Sequence, residues 1–185
     1  MIIAQHALTT MYCNCMTEVR MAKELGYGGI EFLASKIHRY LDQGHQISVL
    51  AKACQKAGTP AVCINALADA DRLDTVEHSA LLAECERLSA AAEGLGCPTI
   101  QLVFRERLAG RPWPEVRKLT AANAKKIADI GKSHGVRFQL EPLAWAPMNS
   151  LSKSLEVIQE AGRDNLGMVI DFWHLWAGGG TRPEE

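Results

Sequence analysis

Val136-Arg137-Phe138-Gln139-Leu140-Glu141 and Met168-Val169-Ile170-Asp171 are short apolar runs that each end in a carboxylate. A helix-patterned segment separates them, with Ser150 or Ser152 as its N-cap, Leu155 and Ile158 facing the core and Gly162 as its stop. Strand, helix, strand at that spacing is the repeat of parallel α/β proteins. In such folds both acids fall on one rim, the carboxyl end of the strands, where ligands bind. His174 follows Asp171 by three residues. Two hard oxygen donors and an imidazole converging on that rim predict a divalent-metal site.

The repeat extends towards both termini. Strands are predicted over Ile2–Gln5, Gly29–Leu33, Pro60–Asn65, Thr99–Phe104, Val136–Glu141 and Leu166–Ile170. Helices are predicted over Thr17–Leu25, ended by Gly26, and over Ile47–Ala57, ended by Gly58. A third carries Leu81, Leu82, Cys85, Leu88 and Ala92 on one face before Gly94 and Gly96. A fourth opens at Pro114-Glu115 and turns Val116, Leu119, Ile127 and Ile130 inward. Gly178-Gly179-Gly180 reads as a loop, with Thr181-Arg182-Pro183-Glu184-Glu185 as the start of a further helix. No linker or low-complexity stretch interrupts the chain, so residues 1–185 are expected to form a single domain.

Composition narrows the classes. The 48% hydrophobic and 22% charged fractions are those of an ordinary globular domain. A formal net charge of -1 supplies no basic field, which argues against a nucleic-acid partner. No apolar run approaches the roughly 20 residues of a membrane span, so no membrane association is expected. Met1-Ile2-Ile3-Ala4-Gln5-His6 lacks the features of a signal peptide, making the cytoplasm the expected location. The six cysteines form no Cys-x-x-Cys pair and read as small buried hydrophobes.

An α/β fold with βα units every ~30 residues is either an open doubly wound sheet or an eight-stranded barrel. The turn after the first strand, Met11-Tyr12-Cys13-Asn14-Cys15, has no glycine-rich dinucleotide fingerprint, and no phosphate-binding P-loop is present. Polar residues stand at or just beyond the strand ends instead: His6, Glu31, Asn65, Arg105, Glu141 and Asp171. Functional groups spread over many strands favour the barrel, of the TIM (β/α)8 type.

Gly26-Tyr27-Gly28-Gly29-Ile30-Glu31, Gly135 to Glu141 and Asn165 to His174 resemble the second, fifth and sixth strand motifs of the xylose-isomerase-like TIM barrels. That family holds sugar isomerases and epimerases, inosose isomerases and dehydratases, and DNA-repair endonucleases. Asn65-Ala66-Leu67 and Arg163-Asp164-Asn165 look most like the inosose isomerases. The resemblance implies that Glu141 and Asp171 are ligands of a divalent metal, typically manganese, cobalt, zinc or magnesium. It implies that Glu141 is also the proton-transferring base, and that His174 touches a substrate hydroxyl or carbonyl. Asn65, Glu31 and His6 are further substrate-contact candidates by position. The family completes its site with a histidine and a glutamate from strands seven and eight. A full barrel takes about 250 residues, so an incomplete barrel of about six βα units is expected, with weakened metal affinity.

Each residue has a plainer reading. Glu141 at a strand end also suits a rim ion pair with Arg105 or Lys153; Asp171 suits a helix N-cap; Glu31 suits a structural hydrogen bond inside the barrel mouth. Trp145, Trp173 and Trp176 are either walls of a sugar pocket or rim packing. The expected function is a metal-dependent isomerase or epimerase of a small sugar, keto-sugar or inosose, working through an enediolate. A lyase such as an inosose dehydratase on the same site is the alternative. A catalytically inactive remnant, or half of a split barrel completed by a homo-oligomer or a complementing chain, is another.

Overall fold

Alternation along the strands decides which way each side chain points, and the paired register carries that choice across the sheet. The computed structural model describes residues 1–179 and 181. Six strands, β1 (Ala4–Gln5), β2 (Gly29–Leu33), β3 (Ala61–Leu67), β4 (Thr99–Val103), β5 (Arg137–Glu141) and β6 (Leu166–Met168), form one sheet in sequential order. Every pair is parallel. Consecutive parallel strands need a crossover on one side of the sheet, and the helices supply it. These are α1 (Cys15–Glu24), α2 (Ala34–Asp42), α3 (Ile47–Ala57), α4 (Thr75–Leu95), α5 (Trp113–Ser133), α6 (Leu151–Ala161) and α7 (Phe172–Gly178). Among the described residues β1 and β6 each pair on one edge only, so the sheet is an unclosed barrel wall.

The core lies between that wall and the helices. Ile30, Phe32, Ile64, Ile100, Leu102, Phe138 and Leu140 point from the strands at Val19, Ile37, Leu50, Leu81, Cys85, Leu88, Ala92, Ile127 and Val157. Burial of each such Leu, Ile or Phe contributes about 1.5–3 kcal/mol. Gly131 lets α5 settle on β5, because a β-carbon there would stand 2.3 Å from a ring carbon of Phe138. The other face of the wall is polar: the register sets Glu31 beside Cys63, Gln101 beside Gln139 and Val103 beside Glu141.

The structure departs from the sequence expectations in four places. Helix α2 follows β2 at once, without a glycine, proline or side-chain cap to announce it; its amphipathic Ala34, Ile37 and Tyr40 are buried. β1 is shorter than expected, with Ile2 and Ile3 exposed, and β6 ends at Met168. Residues 172–178 form a helix that was not expected and that takes in Gly178 of the expected loop, because Asp171 caps it and Gly179 closes it at φ 63°. On α6, Leu155 is 48% exposed while Ser154 and Val157 face inward. The further helix expected beyond Thr181 lies outside the described residues; Thr181 itself accepts a hydrogen bond from the Leu151 amide at 3.1 Å.

The β1–β2 corner is held by buried charge. Glu18 of α1 and Lys36 of α2 are 0% and 6% exposed and meet at 2.5 Å. The Thr10 hydroxyl donates to the same Glu18 oxygen at 2.6 Å, and Lys36 also donates to the Thr10 carbonyl at 2.6 Å. The Gln5 amide of β1 closes the set by donating to the Thr10 hydroxyl at 3.0 Å. Burial pushes the Glu18 carboxyl above its ordinary range, and the hydrogen bonds from Lys36 and Thr10 oppose it. At the opposite rim His134 sits between Glu93 at 2.7 Å and Glu86 at 2.9 Å, which hold its pKa above the usual histidine value.

Two stability measurements follow. Lys36→Met strands a buried carboxylate and is expected to cost about 3–5 kcal/mol in urea unfolding, whereas Glu18→Leu/Lys36→Met together recovers most of it. A double variant no more stable than the single one would refute the pairing. Because the folded pKa of His134 is raised, its contribution is complete below the unfolded value of about 6.5 and is lost as pH rises through the folded value. His134→Gln should therefore destabilise the protein more at pH 6 than at pH 9, and an equal loss at both would contradict it.

Candidate metal centre

β5 and β6 lie side by side; the last residue of β5 delivers one acid and the segment just past β6 the other. Glu141 is the last residue of β5 and half-buried. Asp171 lies just past β6 and begins α7, where its Oδ1 accepts from the His174 amide at 3.0 Å. That cap turns the first helical turn so that the His174 ring comes back beside both acids. Glu141, Asp171 and His174 each offer one donor atom, and these lie within 4.8 Å of one another.

Glu141 is not in an ion pair with either cation that sequence reading offered it. Lys153 donates to the Pro147 carbonyl and Asn149, both at 2.9 Å, and Arg105 stands beside Asp69. The partner of Glu141 is the Gln101 amide, which donates to Oε2 at 2.7 Å. Burial raises the Glu141 pKa above the usual carboxylate range; Gln101 and His174 oppose the rise, and Asp171 and Glu31 add to it. Two carboxylates thus converge with no lysine or arginine recorded against them among the described residues. Such a donor set fits a divalent cation, since a bound positive charge relieves both burial and like-charge repulsion.

His174 is oriented by backbone. The Ala144 amide donates to its Nδ1 at 3.4 Å, which leaves the hydrogen of the neutral ring on Nε2. Trp145 and Trp173 meet the His174 ring edge-on, each with centroids 5.0 Å away. Trp145 lines the cavity, whereas Trp176 is 79% exposed and does not.

His6, Asn65, Glu141, Asp171 and His174 all line one cavity of about 1030 Å³ at the carboxyl end of the strands. Glu31 is not among the lining residues but is bonded to two of them: Asn65 donates to Glu31 at 3.1 Å, and His6 Nε2 stands 3.3 Å from the same oxygen. Gln101 and Asp69 escaped the sequence reading. Gln101 could have been found from alternation, since it lies two residues before Val103 on the inner face of β4. Asp69 adopts φ 52°, which no local signal announced.

The model of the xylose isomerase-like TIM barrel family matches residues 19–185, and the chain belongs to that family. Among its relatives is an inosose isomerase of Halalkalibacterium halodurans, 24% identical over 179 residues, 94% of this chain and 62% of that protein. The chain thus spans less than two thirds of the relative's length. Among solved structures, the IolI protein with a bound zinc atom superimposes with a TM-score of 0.89 at 23% identity, over 97% of this chain and 66% of that one. The probable 3-DHS dehydratase AsbF of Bacillus anthracis gives a TM-score of 0.83 at 18% identity, over 97% and 66%. At these identities the superpositions bear on fold, and they make the six strands the wall of a TIM-type barrel.

Proposed function

We propose that this chain carries the metal-binding and proton-transfer half of a sugar or inosose isomerase site. The observation that carries the reading is the convergence of Glu141, Asp171 and His174 within 4.8 Å on the rim of a cavity large enough for a small polyol. The inosose isomerase relative and the zinc-containing IolI neighbour support the same assignment. Glu141 and Asp171 would hold the divalent metal, which supplies the positive charge that neutralises a carbonyl oxygen as negative charge develops on it.

The rest of the chemistry falls to side chains. Glu141 takes the proton from the hydroxyl-bearing carbon beside the carbonyl. The electrons of the broken C–H bond form a C=C bond and the carbonyl π electrons move onto oxygen, giving an enediolate; return of the proton to the former carbonyl carbon, with the hydroxyl proton passing to the other oxygen, completes the isomerisation. His174 donates from Nε2 to a substrate oxygen, since Nδ1 is occupied by the Ala144 amide. Gln101 holds the Glu141 carboxylate in position. His6 and Asn65 supply further polar contacts to substrate hydroxyls from the far side of the cavity. A dehydratase shares the proton-abstraction step and differs in then expelling a hydroxyl, which the AsbF neighbour makes the second reading.

Two measurements test this. Titration with Mn²⁺, followed by its electron paramagnetic resonance signal, should show one site per chain. Glu141→Ala or Asp171→Ala should eliminate it, and Gln101→Leu should weaken it about 10–100-fold; undiminished binding in the first two would rule the ligands out. In D₂O with Mn²⁺ and an inosose, the wild-type chain should exchange the proton beside the carbonyl. Glu141→Gln should slow that exchange about 100-fold or more, and exchange at the wild-type rate would remove Glu141 as base.

A further inference from the structure

We propose that Arg105 is an oxyanion-binding residue of this cavity, so that among keto-polyols the site prefers those carrying a carboxylate or a phosphate over neutral ones. The inference deepens the isomerase reading and rests on it. Arg105 stands just past the end of β4 and lines the same cavity as Glu141, Asp171 and His174. Its side chain is 55% exposed, and it makes no hydrogen bond among the described residues. The carboxylate nearest to it, Asp69, stands 3.5 Å from Nε, which leaves the two terminal nitrogens of the guanidinium fork uncommitted.

The other arginine of the cavity is differently placed. Arg107 donates from Nη1 to Glu77 at 2.7 Å, and its backbone amide donates to Asp71 at 2.8 Å. Asp69 is itself fixed: its backbone is in the left-handed region at φ 52°, and its carbonyl accepts from the amide and Nε of Arg72 at 3.2 and 3.0 Å. Aspartate is among the few non-glycine residues that enter this region readily, and the two bonds from Arg72 hold it there. Asp69 therefore meets Arg105 at Nε from a held position, and both residues line the cavity.

The fork matters for ligand class. Parallel N–H groups match the two oxygens of a carboxylate or phosphate, and charge-assisted pairs are roughly twice as strong as neutral ones. Hydroxyls of a neutral sugar can accept from the fork but without the opposite charge that strengthens the pair. With a divalent cation between Glu141 and Asp171, the cavity would present positive charge at two separate points, one towards the reacting carbonyl and one towards a fixed anion. Binding of that anion would set the carbon chain in a single direction across the site.

The test compares ligands that share a skeleton. D-Fructose and 2-keto-D-gluconate differ only in a hydroxymethyl against a carboxylate at the first carbon, and D-fructose 6-phosphate places a phosphate at the other end. Calorimetric titration of the full chain is run in EDTA, so that chelation by metal cannot imitate the arginine. At least one anionic ligand should bind about tenfold tighter than fructose, and which one does so separates carboxylate from phosphate. Arg105→Gln should bring the ratio to near one, and Arg105→Lys, which keeps charge without the fork, should fall between. Equal affinities, no detectable binding of any of the three, or a preference that survives in Arg105→Gln would overturn the proposal. The Mn²⁺ titration reports on Glu141 and Asp171 independently, so a failure of the isomerase reading is seen apart from a failure here.

Discussion

Parallel pairing of consecutive strands is the constraint on which the site depends. It sends every carboxyl end to one rim, and its register decides which side chains stand next to each other there. Val103 pairs with Glu141 on β4 and β5, and Gln101 pairs with Gln139 one pleat below. From that position the Gln101 amide reaches the Glu141 carboxylate. A slip of one residue would turn Glu141 into the helix-facing core and bring Leu140 into the cavity. The apolar outer face resists such a slip, since Ile100, Leu102, Phe138 and Leu140 would all be driven to the polar side. Core packing and site geometry are therefore two aspects of one register.

The cavity draws on different physics along its circumference. On the side of β1 to β3, hydrogen bonding joins Asn65 to Glu31, with His6 beside it. On the side of β5 and β6, Glu141 and Asp171 approach each other, and burial holds the Glu141 proton affinity up. The first arrangement is electrically settled and suits positioning of hydroxyls. The second is unsettled, and its natural complement is a cation. The relatives and structural neighbours bear on the fold that produces this division, while the division itself comes from the side chains of this chain.

Much of this was legible in the sequence, and the reasons are local. Glu141 and Asp171 were visible because each ends an apolar run, and strand ends at that rim are where chemistry collects. Leu81, Cys85, Leu88 and Ala92 were visible as a helix face, and all four are buried in α4. Helix α2 was hidden because nothing punctuates the passage from Leu33 to Ala34, and its buried face includes a lysine whose partner Glu18 lies on another helix. Leu155 misled for the opposite reason: an apolar side chain on a short helix suggested an inward face that packing gave to Ser154 and Val157. Long-range partnerships such as Gln101 with Glu141, forty residues apart, have no signature in a single chain.

The hydrogen bond from the Ala144 amide to His174 has a consequence for how the site can drift over evolutionary time. The group that selects the imidazole tautomer belongs to the main chain, so residue 144 can change its side chain without disturbing the choice. Only proline, which has no amide hydrogen, would remove it. A loop that varies freely in composition can thus keep a fixed proton on the facing ring. Its chemistry is stored in the course of the backbone, where a comparison of side chains would overlook it.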